Sequence, residues 1–423
     1  MVALIDSHGT THLRAHRFGG QQASSPLAGD ATTLRQPAPA GVRPASNLPT
    51  MPSPTTAEDP RERDLLEAAR GGDEGAFARL VEARRGELHA HCYRMLGSVQ
   101  DAEDALQDAM LRAWRGLPRF EGRSSLRSWL YTIATNSCLD AIGRRPKRVL
   151  PVDYAPAADP HDGPGDPVVE PVWVEPYPDE TLGVEDGYAA PEARFEQREA
   201  VELAFIAALQ HLPPNQRAAL IMREVLGFSA REVAEAMDTT TASINSALQR
   251  ARKTVAERLP DQSQQATLRT LGDDRVRELV DGYVDAWQRE DIETVVSMLA
   301  EDASFSMPPL ASWYGGSRRL LAEFMEVGPL SGEWRWRPVR VRASGQETLA
   351  FYEWDSESER YLPFALNVLS FRGEEISDVT CFVCRSIESP DREAYARWPD
   401  EPVDPARRRA YFGRFGLPDE LPA

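Results

Sequence analysis

The sequence predicts a multidomain protein, two all-α helical domains followed by an α+β domain with a curved sheet. Three observations carry that reading. Apolar residues recur at three- and four-residue steps from near Asp64 to about residue 260. An acidic, proline-rich stretch at residues 150–191 cuts this helical region in two. Beyond residue 330 the texture changes to strand-like runs, WRWRPVRVRA, ETLAFYEWD, LPFALNVLSFRG and ISDVTCFVCRS.

Residues 1–57 are rich in Pro, Ala, Ser, Gly and Thr and lack the apolar centre of a signal peptide, so they read as a disordered leader, with Met51 an alternative start. The first helical domain spans 58–149. Phe77, Leu80, Val81, Leu88, Cys92 and Met95 form one amphipathic stripe, broken at Gly97-Ser98. A second helix carries Ala102, Leu106, Ala109, Met110, Ala113 and Trp114 on one face and Asp101, Asp104 and Asp108 on the other, stopping near Pro118. The loop RFEGRSS leads into a third helix from about Leu126 to Gly143.

The linker, 150–191, holds Tyr154, Trp173, Tyr177 and Tyr188 among its acids and prolines; a plain extended spacer and a strand lying along a partner are both consistent with it. The second helical domain covers 192–260. Ser229 caps a helix through Met237, Asp238-Thr239-Thr240 turns the chain, and a further helix starts near Thr241, with Ala234 small where the two approach. After the polar joint DQSQQATL, residues 271–387 form the α+β domain, and 388–423 a polar tail in which Tyr395, Trp398, Tyr411 and Phe412 are candidates for docking.

The net charge of −18 does not exclude nucleic acid, because the charge is partitioned. Residues 151–192 hold eleven Asp or Glu and no Lys or Arg, whereas 123–148 hold six Arg or Lys against one Asp, and 241–258 four against one Glu. Local potential over about a Debye length decides phosphate affinity. Arg123, Arg127, Arg144, Arg145, Lys147 and Arg148 suit phosphates, while Phe120, Trp129 and Tyr131 beside Ser124, Ser125 and Asn136 suit unstacked bases. Thr240, Ser243, Asn245, Ser246, Gln249, Arg250 and Arg252 suit a major groove.

DAEDALQDAMLRAWRGLPRFEGRSSLRSWLYTIATNSCLDAIGRRPKR resembles domain 2 of a sigma-70-family RNA polymerase sigma factor, and LQHLPPNQRAALIMREVLGFSAREVAEAMDTTTASINSALQRARKTV resembles its domain 4, a helix-turn-helix. With no domain 3 between them, the chain is similar to the extracytoplasmic-function group. The resemblance implies that Asp101, Glu103, Asp104 and Asp108 dock on the polymerase β′ clamp, and that domain 4 also meets the β flap. It implies that Phe120, Arg123, Ser124, Ser125, Arg127, Trp129, Asn136, Arg144, Arg145, Lys147 and Arg148 melt a −10 element, and that the helix-turn-helix reads a −35 element. The linker is expected to thread toward the RNA exit channel. Partners are therefore core polymerase and promoter DNA, in the cytoplasm, with no cofactor, no catalysis and no membrane.

YVDAW, LAEDASFSMPP and ISDV make the C-terminal domain similar to SnoaL-like, NTF2-like cones, whose pocket Phe305, Met307, Trp313, Tyr314, Trp336, Asn367 and Asp378 would line around a small ligand. The resemblance implies that such a domain controls polymerase binding. Asp378 is the candidate acid or base for the alternative reading, a cone-fold enzyme or ligand sensor with a fused DNA-binding module. Cys381 and Cys384 have metal-like spacing, but residues three apart in a strand face opposite ways, and four cysteines make no disulfide framework. They read as core cysteines.

Overall fold

The computed structural model describes residues 2–5, 11–14, 60–165, 168, 172–182, 191–384 and 405–423. The rest of the expected leader, with Tyr188, Tyr395 and Trp398, lies outside the described residues. Within the leader, Val2–Ile5 (β1) and Thr11–Arg14 (β2) pair antiparallel where disorder was expected.

The first helical unit comprises Pro60–Arg70 (α1), Glu74–Glu82 (α2), Arg85–Leu96 (α3), Val99–Gly116 (α4) and Leu126–Ile142 (α5). The expected single stripe from Phe77 to Met95 is split at Ala83–Arg84, and both halves face the same core. Ser98 and Ser125 cap α4 and α5, each hydroxyl accepting an N–H at 3.1 Å. A single turn, Pro151–Tyr154 (α6), opens the linker.

The second unit comprises Pro191–Glu199 (α7), Leu203–Gln210 (α8), Pro214–Leu220 (α9) running into a π turn at Ile221–Val225, Ala230–Ala236 (α10) and Thr241–Ala256 (α11). Ser229 and Glu232 form a reciprocal capping box on α10, and Thr240 caps α11. Asp238, at φ 48°, makes the turn between them.

The third unit starts with Gln264–Leu271 (α12), Asp273–Gln288 (α13) and Ile292–Ser297 (α14). Leu299–Ser306 (β3), Trp313–Gly315 (β4), Trp336–Ala343 (β5), Gln346–Asp355 (β6), Arg360–Arg372 (β7) and Glu375–Val383 (β8) form a six-stranded sheet in the order β4-β3-β8-β7-β6-β5, with Arg318–Val327 (α15) between β4 and β5. β3 and β8 are parallel and the other neighbours antiparallel. A tail helix, Pro405–Gly413 (α16), closes the chain.

Two apolar clusters use the two faces of this sheet. Leu349, Phe351, Leu369, Val379 and Cys381 pack with α13 and α15 inside the cone. Ala350, Tyr352, Leu366, Val368 and Phe382 belong instead to a cluster that runs through both helical units, the linker and the tail, where Phe412 is buried at 5.0 Å from the Tyr352 ring. The outer face of the cone is thus core for the rest of the molecule.

The described residues of the linker do not extend away. Val149 exchanges backbone hydrogen bonds with Val172 and Val174, and Trp173 and Tyr177 are buried. The Tyr177 ring lies 4.5 Å from that of Tyr93 on α3, and its hydroxyl is 2.8 Å from His89 Nδ1. On its other side the Tyr177 N–H donates to Ser344 Oγ (3.0 Å), the Ser344 N–H to the Tyr177 carbonyl (2.7 Å), and the Gly345 N–H to Asp179 Oδ1 (2.8 Å). Ser344 and Gly345, at φ 56° and 68°, are the two-residue turn joining β5 to β6, as a type I′ hairpin requires. A Cβ on Gly345 would stand 2.7 Å from the Arg198 carbonyl, so this tip accepts only glycine where it meets the second unit. Glu202 completes the junction, accepting the N–H groups of Gln264 and Gln265 at 3.1 and 2.7 Å.

Candidate nucleic-acid interface

Helix α4 is amphipathic, and its apolar side packs on α3 and α5. On its outer side Asp104 and Asp108 are exposed, and Glu103 is half-buried, paired with Arg85 at 2.5 Å. Leu111 follows on the same stripe, one turn on from Asp108, and is 56 % exposed. The sequence signal was available, since Leu111 breaks the polar face.

Asp101 stands apart from this surface. It is buried, paired with Arg148 at 2.6 Å and in contact with Arg145. Arg148, itself buried, also donates to the Trp173 carbonyl and approaches Glu175. The resemblance assigned Asp101 to polymerase and Arg145 and Arg148 to DNA, but here the basic segment after α5 folds back over the start of α4 and joins them. Glu175 reinforces this contact by accepting the Val99 N–H at 2.9 Å, near the positive end of the α4 dipole.

The remaining candidate −10 residues do not share one environment. Arg123, Ser124, Ser125, Asn136 and Arg144 are exposed, with Arg123 paired to Glu121. Phe120 and Trp129 stack at 4.9 Å, and Trp129 closes over Gly116. Arg127 turns inward to the second unit, where its guanidinium sits 4.6 Å from the Phe228 ring and 5.0 Å from the Tyr131 ring and donates to the Leu226 carbonyl at 3.2 Å. Thr135, one turn beyond Tyr131, is buried against Met222 and hydrogen-bonds His91. Lys147 is 2.8 Å from His211, which also reaches Asp153 and Arg258.

Helix α11 presents Thr240, Ser243, Asn245, Ser246, Gln249 and Arg250 to solvent on one side, and buries Ile244, Leu248, Ala251 and Val255 on the other. Arg252 is turned back onto Glu224 of the π turn. These six exposed side chains form a continuous polar strip beginning at the helix N-terminus, the geometry needed for a major groove.

The expected cone-pocket residues are not one group. Phe305 and Tyr314 pack on Phe324 at 5.2 and 4.1 Å, Trp336 lies 5.0 Å from Phe364, and Met307 packs at the edge of the same interior cluster, which Asn367 faces. Trp313 and Asp378 lie on the opposite sheet face, Trp313 donating to the Ala155 carbonyl and Asp378 bonding Ser304 and Thr380. Burial raises the Asp378 carboxyl, against the pull of those two hydroxyls. Asp378 therefore does not serve a pocket inside the cone. Cys92, Cys138, Cys381 and Cys384 are free and buried, and among the described residues no group of three or more His, Cys, Asp or Glu could hold a metal ion. Among the same residues no helix is long and apolar enough to cross a membrane.

Residues 80–148 match Sigma-70 region 2, residues 197–255 match Sigma-70 region 4, and residues 280–379 match the SnoaL-like domain. The chain is 37% identical over 358 residues to the ECF RNA polymerase sigma factor SigG of Mycobacterium tuberculosis, covering 82% of this chain and 85% of that one. It is 31% identical over 198 residues to the M. tuberculosis ECF sigma factor SigM, covering 47% and 84%. The crystal structure of M. tuberculosis SigJ, an extracytoplasmic-function sigma factor, matches with a TM-score of 0.46 at 22% identity, over 76% of this chain and 99% of that one. The chain belongs to the ECF RNA polymerase sigma factors, as a promoter-recognising member that carries a SnoaL-like C-terminal domain.

Proposed function

We propose that this sigma factor rests in a closed state, in which the second helical unit covers the Arg127 and Tyr131 side of α5, one part of the expected −10 surface, and the cone, through the linker, holds the two together. The observation that carries the reading is Arg127, lodged between Phe228 and Tyr131 and bonded to the Leu226 carbonyl. A cation over one ring and beside another is how a protein holds an unstacked base. Phe228 occupies that position in the closed state, so single-stranded DNA and the second unit compete for one surface.

On this reading Glu103, Asp104, Asp108 and Leu111 dock on core polymerase, with the β′ clamp and β flap as the contacted parts. Phe120, Trp129, Asn136 and the exposed basic residues meet the melted −10 strand, and the outer strip of α11 reads −35 duplex. Asp101 and Arg148 are positioning residues that set the pitch of α4. Residues 58–149 and 192–260 act as the two DNA-reading units, 150–191 as a strap between them, 271–387 as the cone and 388–423 as its tail clasp. The strap, which buries Tyr177 between α3 and the cone hairpin, replaces the path toward the RNA exit channel while the closed state lasts. The protein acts where the polymerase is, in the cytoplasm, and the sigma role needs no catalytic step.

The test is run-off transcription with purified core polymerase and the full chain. The proposal expects promoter-dependent transcript, and a gain in fork-template binding when the strap is released by substitution. Failure of the chain to join core polymerase on any template would end the reading.

A further inference from the structure

Lys147, Asp153, His211 and Arg258 form a charged cluster where the segment after α5, the strap helix α6 and the second unit meet. His211, just past the end of α8, is its centre, with its side chain largely covered. The Lys147 ammonium lies 2.8 Å from His211 Nδ1, and Asp153 Oδ2 lies 3.1 Å from Nε2. Arg258, just beyond α11, stands 3.4 Å from Asp153 Oδ1 and 3.2 Å from Nε2. Arg217 of α9 adds its charge behind Lys147.

An ammonium can only donate, so Nδ1 offers its lone pair to Lys147, and the ring proton sits on Nε2, where it donates to Asp153. That tautomer is neutral. A second proton would place an N–H on Nδ1, aimed at the Lys147 ammonium, and would set three cations around the Asp153 carboxylate. We infer that His211 is an acid-operated latch between the two DNA-reading units, shut while neutral and opened when a proton on Nδ1 expels Lys147. The latch presupposes the closed state proposed above. Lys147 is one of the basic residues expected on the melted −10 strand, so the proton that parts the units also returns a phosphate contact.

Burial lowers the His211 pKa, Asp153 opposes the fall, and Lys147 and Arg258 add to it. In the open state the imidazole stands in water, with an ordinary pKa of about 6.5. The open state therefore binds the proton more tightly. The closed population holds above about pH 7 and falls below about pH 6.5, by up to about tenfold per unit, until the closed-state pKa is passed.

The test is single-molecule energy transfer in the full chain, with dyes on Glu82→Cys and Ser246→Cys, exposed positions on α2 and α11, while the native cysteines are buried. A closed, high-transfer population is expected to dominate at about pH 7.5. At about pH 5.5 the ratio of open to closed should rise about threefold or more, since half a unit of pKa difference between the states suffices. His211→Gln keeps an acceptor for Lys147 and a donor for Asp153 but does not titrate, so its ratio should stay level over that range. Lys147→Met removes the group that the proton opposes and should abolish or reverse the acid response. An open parent at about pH 7.5 would sink the closed state and the latch together. A closed parent that stays shut in acid would overturn the latch alone. So would equal opening in His211→Gln, which would assign the response to another group such as the buried His91.

Discussion

Replacing Tyr177 by alanine tests the strap directly. The side chain is wholly buried, between Tyr93 and His89 on one side and the Ser344–Gly345 turn on the other. A ring of this kind buries about 150–250 Å², which at about 25 cal/mol per Å² is about 4–6 kcal/mol. Aromatic-to-alanine changes in cores cost about 3–5 kcal/mol, so about 3 kcal/mol is a conservative loss. Tyr177 belongs to the linker and not to a helix, so the loss falls on docking of the strap and leaves the helical units folded. A loss of about 3 kcal/mol lowers the ratio of docked to undocked strap by about 150-fold. Hydrogen exchange reads this at the Ser344, Gly345 and Val99 amides, which donate to Tyr177, Asp179 and Glu175. Exchange there should quicken while α4 and α5 stay protected, and fork-template affinity should rise. Unchanged exchange at these amides, or faster exchange without any gain in DNA binding, would refute the reasoning.

Asp104→Arg and Leu111→Asp should each abolish core-polymerase binding in a pull-down while shifting stability by no more than about 0.5 kcal/mol, since both sites are exposed. Asp101→Asn should behave in the opposite way, costing about 2–4 kcal/mol in urea unfolding of the first unit because it removes a buried carboxylate 2.6 Å from the buried Arg148 guanidinium. Arg250→Ala on the exposed strip of α11 should weaken −35 duplex binding about tenfold or more and leave fork-template binding through α5 in place, as separate gel-shift titrations would show. His91 is held neutral, its pKa pushed down to about 3 by burial and by the charges of Arg94 and Arg127. The unfolded chain takes up a proton that the folded chain refuses, so stability falls as pH drops from about 6.5 toward 3, by about 1.4 kcal/mol per unit. Unfolding curves across that window should flatten in His91→Gln; an unchanged slope would remove His91 from the explanation.

What the sequence determined by itself is local. Ser229 marks a helix start in the sequence because a hydroxyl can satisfy a free N–H within one turn, whatever surrounds it, and Ser98, Ser125 and Thr240 cap helices in the same way. The three-residue turn before α11, the polar strip along that helix and the partition of charge are likewise short-range facts, and with the family's motifs they reached the fold class and the sigma role. The tertiary structure decided which groups are free to act. Asp101 and Arg148 are 47 residues apart, and nothing between them signals that they bury together. Trp173 and Tyr177 read as spacer or partner-bound aromatics because their partners, α3 and the β5–β6 turn, are distant in the chain. Asn367 and Asp378 ended on opposite faces because the β7–β8 register pairs Asn367 with Cys381, three residues along β8 from Asp378, and strand residues alternate. A spacing rule reads one chain segment at a time, whereas burial, charge pairing and the side of a sheet depend on what packs against it.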